Sequence, residues 1–206
     1  MMMKKNYLVA AISITFLLLS CFLNYSCKKE VDYPDQVQML QNAEMELGDF
    51  VKLAPMYWYG SAWPVDAELD LKWSDDMYYS PERSLKMSSS VSYDTAFAYW
   101  TQIISYAIPN NQNIKLTIMI KTEDLEGSGI AMLIRADNTR TQSVLAFETT
   151  EGKMDIKGTF DWTEFSIEMN SVPDLTNRIY VFFIYLPKTT GTAYFDNAEL
   201  TYMVSK

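Results

Sequence analysis

Trp100 and Gln102 stand two places apart in the stretch Ala96–Ile104. In an extended chain they project from the same side, together with Ala98 and Ile104, while Phe97, Tyr99, Thr101 and Ile103 project from the other. A flat indole beside a fixed amide suits a sugar, which has an apolar ring face and a rim of hydroxyls. Arg135, at the end of the apolar run Ile130–Arg135, is a further donor for such a site. Trp58, Tyr59 and Trp63 cluster around Gly60, and Tyr78 and Tyr79 sit in a loop; these rings could wall the same cleft. The plainer alternative is that the aromatics fill a core. Trp162 and Phe165 are read that way, and for Trp100 both readings stay open.

Other chemistries find less support. The chain has no histidine, which excludes Ser-His-Asp and Cys-His mechanisms and His-ligated zinc. Glu68 and Asp70 lie on one side of the alternating stretch Ala67–Trp73, but two-carboxylate hydrolysis needs a set separation and one raised pKa. The same alternation explains them as an outward polar face, so no enzyme is expected. Asp75-Asp76 and Glu123-Asp124 read as solvated loop charges. The balance of 26 acidic against 17 basic residues, net −9, argues against nucleic acid as a partner.

The elements that must position these residues are strands. Tyr 14, Phe 10 and Trp 5 are a heavy aromatic load, and no sustained helical period appears in the body. Ile114, Leu116, Ile118 and Ile120 alternate with Lys115, Thr117, Met119 and Lys121. The run Thr122–Gly129 has turn chemistry, so Asn113–Asp137 is expected to be a β-hairpin with a charged tip. Arg178–Leu186 is almost wholly apolar and reads as a central strand buried on both sides. Further strands are expected at Arg83–Ser90, Ser143–Glu148, Trp162–Met169 and Thr192–Met203. Strands at this spacing imply an all-β, two-sheet antiparallel sandwich.

The first 27 residues read as a lipoprotein signal peptide. Met1–Lys5 is basic, Tyr7–Leu19 is apolar but short for a membrane span, and the only cysteines, Cys21 and Cys27, follow. Leu18-Leu19-Ser20-Cys21 has lipobox form. Ser26-Cys27-Lys28-Lys29-Glu30 resembles a junction common in lipoproteins of Bacteroidetes-type bacteria, and Cys27 is preferred over Cys21 as the lipidated residue. Residues 28–41 are expected to be a polar tether and 42–206 the folded domain, held at the cell envelope, in the outer membrane, by its acyl chains.

Several segments together resemble the galactose-binding-like jelly roll of non-catalytic carbohydrate-binding modules. Asn42-Ala43-Glu44-Met45-Glu46 is similar to that family's opening Asn-x-x-Phe-Glu, with Met45 in the aromatic place. Pro81-Glu82-Arg83-Ser84-Leu85-Lys86 is similar to its Gly-x-x-Ser-Leu-Lys strand, without the glycine. Tyr99–Gln102, Ile118–Lys121, Asp161–Phe165 and Tyr194–Leu200 resemble its later strands, and Ile120–Leu200 also resembles jelly-roll domains appended to bacterial peptidases and regulators. The resemblance spans about residues 42–203 and implies a jelly-roll β-sandwich. It further implies glycan binding on a concave sheet face, and a structural calcium between the first and last strands, with Glu46 and Asp196 at the matching positions. An interaction or structural module of an envelope complex is the alternative function, and a glycoside hydrolase the third.

Overall fold

The computed structural model describes residues 36–203; the expected leader, with Cys21 and Cys27, lies outside them. The described residues form twelve strands and no α-helix. In chain order these are β1 (Gln36–Gln38), β2 (Gly48–Asp49), β3 (Ala54–Pro55), β4 (Tyr59–Trp63), β5 (Asp70–Ser74) and β6 (Ser84–Ser89). There follow β7 (Phe97–Ile104), β8 (Ile114–Asn138), β9 (Ser143–Thr149), β10 (Ile156–Met169), β11 (Arg178–Tyr185) and β12 (Thr190–Met203). Every pairing is antiparallel.

The expected hairpin over Asn113–Asp137 is instead one strand of 25 residues that serves both layers of a sandwich. Its first half pairs with β12 and β10, its second half with β11 and β9. One layer therefore runs β4-β7-β11-β8-β9, and the other β5-β6-β12-β8-β10, with β1 beside the end of β12. Gly127 and Gly129, both at positive φ, lie where β8 passes from one layer to the other. A β-carbon on Gly127 would fall on the Lys188 carbonyl, and one on Gly129 on the Ile156 carbonyl. The glycines thus bend a continuous strand and do not close a turn.

The period of two sorts the side chains. Ile114, Leu116, Ile118 and Ile120 are buried while Lys115, Thr117, Met119 and Lys121 face outward. Phe183 of β11 stacks on Phe195 of β12 at 5.3 Å, and Trp58 on Phe183 at 5.2 Å, so the layers meet through aromatic faces. With β11 alternating half-buried and buried from Arg178 to Tyr185, the expectation that it is covered on both sides is corrected: Arg178, Tyr180, Phe182 and Ile184 look out.

The expected tether over 28–41 ends earlier than its polar composition suggested. Gln36–Gln38 pairs with Thr201–Met203, and Met39 and Leu40 are buried. Glutamine chemistry accounts for this: Gln38 Oε1 accepts from the backbone N–H of Leu40 and Leu200, at 3.0 and 2.9 Å, so polar residues here extend the sheet.

Candidate ligand-binding face

The alternation in β7 is as the sequence indicates, but the open side is the opposite one. Trp100 is 5% exposed and Gln102 3% exposed, and both point between the layers. The Trp100 indole donates to the Lys86 carbonyl of the other layer at 3.2 Å. Gly60, opposite it in β4, makes room: a β-carbon there would lie 2.9 Å from the indole. Gln102 clamps the backbone of Gln41, accepting its N–H at 2.8 Å and donating to its carbonyl at 2.9 Å. Trp58 is also buried, and its indole donates to the Asn42 carbonyl at 3.0 Å. These three side chains hold the sandwich together; Gln102 also borders a depression of about 310 Å³ shared with Tyr59 and Tyr106.

The other parity of the same strands builds the exposed face. From β4 it takes Tyr59 and Trp63, paired with Thr101 and Phe97 of β7. From β11 it takes Tyr180 and Phe182, opposite Ile103 and Thr101. From β8 it takes Arg135, opposite Tyr180 and beside Phe147 of β9. The rings form a diagonal line: Trp63 to Phe97 at 6.1 Å, Phe97 to Tyr99 at 6.3 Å, Tyr99 to Phe182 at 5.4 Å, and Phe182 to Tyr180 at 5.8 Å. Trp63, Tyr59 and Phe147 are the most open, at 57%, 62% and 60% exposure.

Fixed polar groups close one end of this line. The Arg135 guanidinium lies 4.5 Å over the Tyr180 ring and grips Asp137 through two bonds, of 3.1 and 3.0 Å. Arg178 donates to the Tyr180 hydroxyl at 3.2 Å. Arg135, Asp137 and Arg178 border a depression of about 400 Å³ floored by Asn138, Gln142 and Ser143. Cross-strand packing explains the order: a cation stacked on a ring next to a carboxylate fixes all three on a sheet surface.

The residues expected to form one site are thus in three places. Arg135, Tyr59 and Trp63 share the exposed face; Trp100, Gln102 and Trp58 are in the core. Tyr78 and Tyr79 lie in the loop before β6, where the Tyr79 ring meets Trp162 of β10, in the same layer as β6, edge to face at 5.9 Å. Trp162 was expected in the core; its position in β10 is half-buried and outside the core cluster. Phe97, Tyr99, Tyr180, Phe182 and Arg178 were missed. Their signal was parity: once one side of β7 is assigned to the core, its neighbours follow by register.

Glu46 and Asp196 do come together, around the loop Tyr79–Arg83. Asp196 is fully buried. Its Oδ2 accepts the N–H of Tyr79 at 2.7 Å and of Ser80 at 2.8 Å; its Oδ1 accepts the Ser80 hydroxyl at 2.7 Å and the Asn197 N–H at 2.6 Å. Glu46 Oε1 accepts the N–H of Glu82 and of Arg83, each at 3.1 Å. Burial pushes the Asp196 carboxyl up from its ordinary value, and the Ser80, Tyr79 and Asn197 donors pull it part of the way back. A calcium ion wants about six to eight oxygen ligands. Here hydrogens of N–H and O–H groups point at the carboxylates instead, and no group of three or more acidic, His or Cys side chains that could hold a metal occurs among the described residues. The residues present do not fit the ion; the loop amides bridge the two carboxylates in its stead.

Glu68 precedes β5 and Asp70 opens it, with Asp70 ion-paired to Lys72 at 2.9 Å. Both border a shallow surface depression with Ser88 and Asp124.

No family model matches the chain, and no curated protein matches it. Its fold is similar to that of an apo cyclase from Fischerella sp., with a TM-score of 0.60 and 15% identity over 84% of this chain and 100% of that one. It is also similar to the enzymatically active domain of tailspike protein 4 from bacteriophage CBA120, with a TM-score of 0.61 and 15% identity over 81% of this chain. The alignment there spans only 22% of the tailspike chain. The carbohydrate-binding module TmCBM61, solved with β-1,4-galactotriose, aligns at a TM-score of 0.49 and 12% identity over 80% of this chain and 97% of that one. At such identities likeness concerns the fold.

Proposed function

We propose that the chain is a non-catalytic glycan-binding module, exported and held at the outer membrane by lipid on Cys27 or Cys21. The observation that carries the binding reading is the line of half-open rings from Trp63 to Tyr180, ended by fixed donors at Arg135 and Arg178. Such a surface offers apolar contact to successive sugar faces and hydrogen bonds to their rims. The leader supports the anchoring: a basic start, a short apolar run and two cysteines at its end.

Affinity gel electrophoresis across a panel of plant and bacterial polysaccharides tests the reading. Trp63→Ala and Tyr180→Ala should each abolish the retardation while leaving the folded fraction unchanged. Trp100→Ala should unfold the protein, because it empties a buried site. Migration unaltered by every polymer would refute glycan binding.

A second reading has its own observation. Leu47, Phe50, Val51, Leu53 and Met56, on and beside the β2–β3 hairpin, are all exposed. A patch of this kind suits a protein partner in an envelope complex. Val51→Asp combined with Leu53→Asp leaves polymer binding intact under the first reading and abolishes partner co-purification under the second.

A further inference from the structure

Resting on the reading of the exposed face as a glycan site, we infer that its ligand is a glycan carrying carboxylates, that is, uronic acid residues. The chain as a whole is acidic, with net charge −9, yet the charged side chains that the pairing register places on this face are Arg135, Arg178 and a single Asp137. Asp137 is engaged by Arg135. Arg178 has no carboxylate partner among the described residues: its Nη1 donates to the Tyr180 hydroxyl, and its Nε is buried with no hydrogen-bond partner at all.

The covered Nε is out of a ligand's reach, and Arg178 meets the depression through its other atoms. The guanidinium presents paired N–H groups that match the two oxygens of a carboxylate. Arg178 also stands at the right place. It sits in β11 two residues from Tyr180, its guanidinium 6.0 Å from that ring, and it borders the depression that ends the aromatic line. A sugar resting at the Tyr180 end of the ring line, beside the Arg135 guanidinium that covers Tyr180, would carry a ring substituent into that depression.

The overall negative charge does not cancel the local sign. At physiological ionic strength charges are screened over about 8 Å, so a ligand seated on Tyr180 responds to the two arginines and Asp137 and little to the distant acidic loops.

The test compares polygalacturonate with the same polymer after reduction of its carboxyls to alcohols, and with a sulfated galactan, each titrated against the full chain in detergent. The reduced polymer keeps the sugar's shape and loses only its charge. Binding to the polyuronate should be roughly tenfold or more tighter than to the reduced polymer, and weaker as salt is raised. Arg178→Gln should bring the two affinities together while the chain stays folded, as circular dichroism reads it. Equal affinity for both polymers in the wild type, still lost in Trp63→Ala, overturns the carboxylate assignment and leaves the glycan site standing. A preference for the sulfated galactan overturns the carboxylate assignment as well. No binding to any polymer overturns both.

Discussion

Asp196 has each of its carboxylate oxygens engaged by two donors, three from Tyr79 and Ser80 of the loop and one from Asn197 of its own strand. Its replacement by alanine would strand the part-buried N–H groups of Tyr79 and Ser80, while the Ser80 hydroxyl keeps the Glu44 carbonyl. Since each unsatisfied group costs about 1–3 kcal/mol, the expected loss is about 3 kcal/mol or more, read from denaturant unfolding. A chelator should leave the melting temperature of the wild type unchanged; a fall on adding EDTA, reversed by calcium, would show that a cation occupies the position. The pH dependence has a definite sign. The folded carboxyl titrates above its unfolded value because burial dominates, so the fold holds that proton more tightly. The stability it contributes is fully present below the ordinary carboxylate range and is lost as pH rises through the raised value. The gap in unfolding free energy between wild type and Asp196→Asn should therefore widen as pH falls through the mildly acidic range. Asp76 behaves oppositely: its hydrogen bond to Lys86 lowers its titration, so that contribution is lost on acidification. The nearness of Glu46 to Asp196 was implied by the resemblance to jelly-roll modules and not by the residues alone. Whether the Tyr79–Arg83 loop would aim N–H or C=O groups at them was not legible, because peptide orientation in a loop is set by tertiary contacts. The same limit governed Trp100 and Gln102: their shared side was readable from spacing, but nothing local distinguishes the inside of a sandwich from its outside.

At the scale of elements, β8 decides the architecture. Its run Thr122–Gly129 has the composition of a turn, and glycine at positive φ serves a turn and a bend equally well. What selects the bend is non-local. Thr190 and Thr192 of β12 pair with Glu126 and Glu123, and Gly158 of β10 pairs with Leu125, so neighbours on both sides hold the chain extended through the corner. A single sequence does not display those partners, although the flanking alternation was readable. Gly127→Ala and Gly129→Ala should each destabilise the protein by about 1–3 kcal/mol from the backbone conformation alone, and by more once the new methyl meets the Lys188 or Ile156 carbonyl. Gly152→Ala, also at positive φ but with open space around it, should show the conformational cost only. Thermal unfolding of the three variants separates the terms. Equal losses at all three sites would mean that the corner is looser than the close approach at Gly127 and Gly129 requires.

At the scale of the molecule, the segment Gln36–Gln41 ties the two layers to each other. Gln36–Gln38 adds to β12 in one layer, and the Met39 N–H donates to the Leu200 carbonyl at 2.8 Å. Two residues on, Gln41 is clamped by Gln102 of β7 in the other layer. Between them the side chains of Met39 and Leu40 are buried, and each such burial contributes about 1.5–3 kcal/mol. The polar letters that made this stretch resemble a tether are the same glutamines whose amides complete the sheet. A chain beginning at Asn42 should therefore lose about 4 kcal/mol or more relative to one beginning at Asp35, a large share of the roughly 5–15 kcal/mol that holds an average domain folded. On the proposed reading, the shorter chain should also lose glycan binding before it unfolds. Gln102 lies on the strand whose opposite side carries Tyr99 and Phe97, so freeing its clamp loosens the support beneath the ring line. Comparing the two chains by calorimetry and by affinity gel checks both halves of that expectation, and equal melting temperatures would show that the layers are held together without this seam.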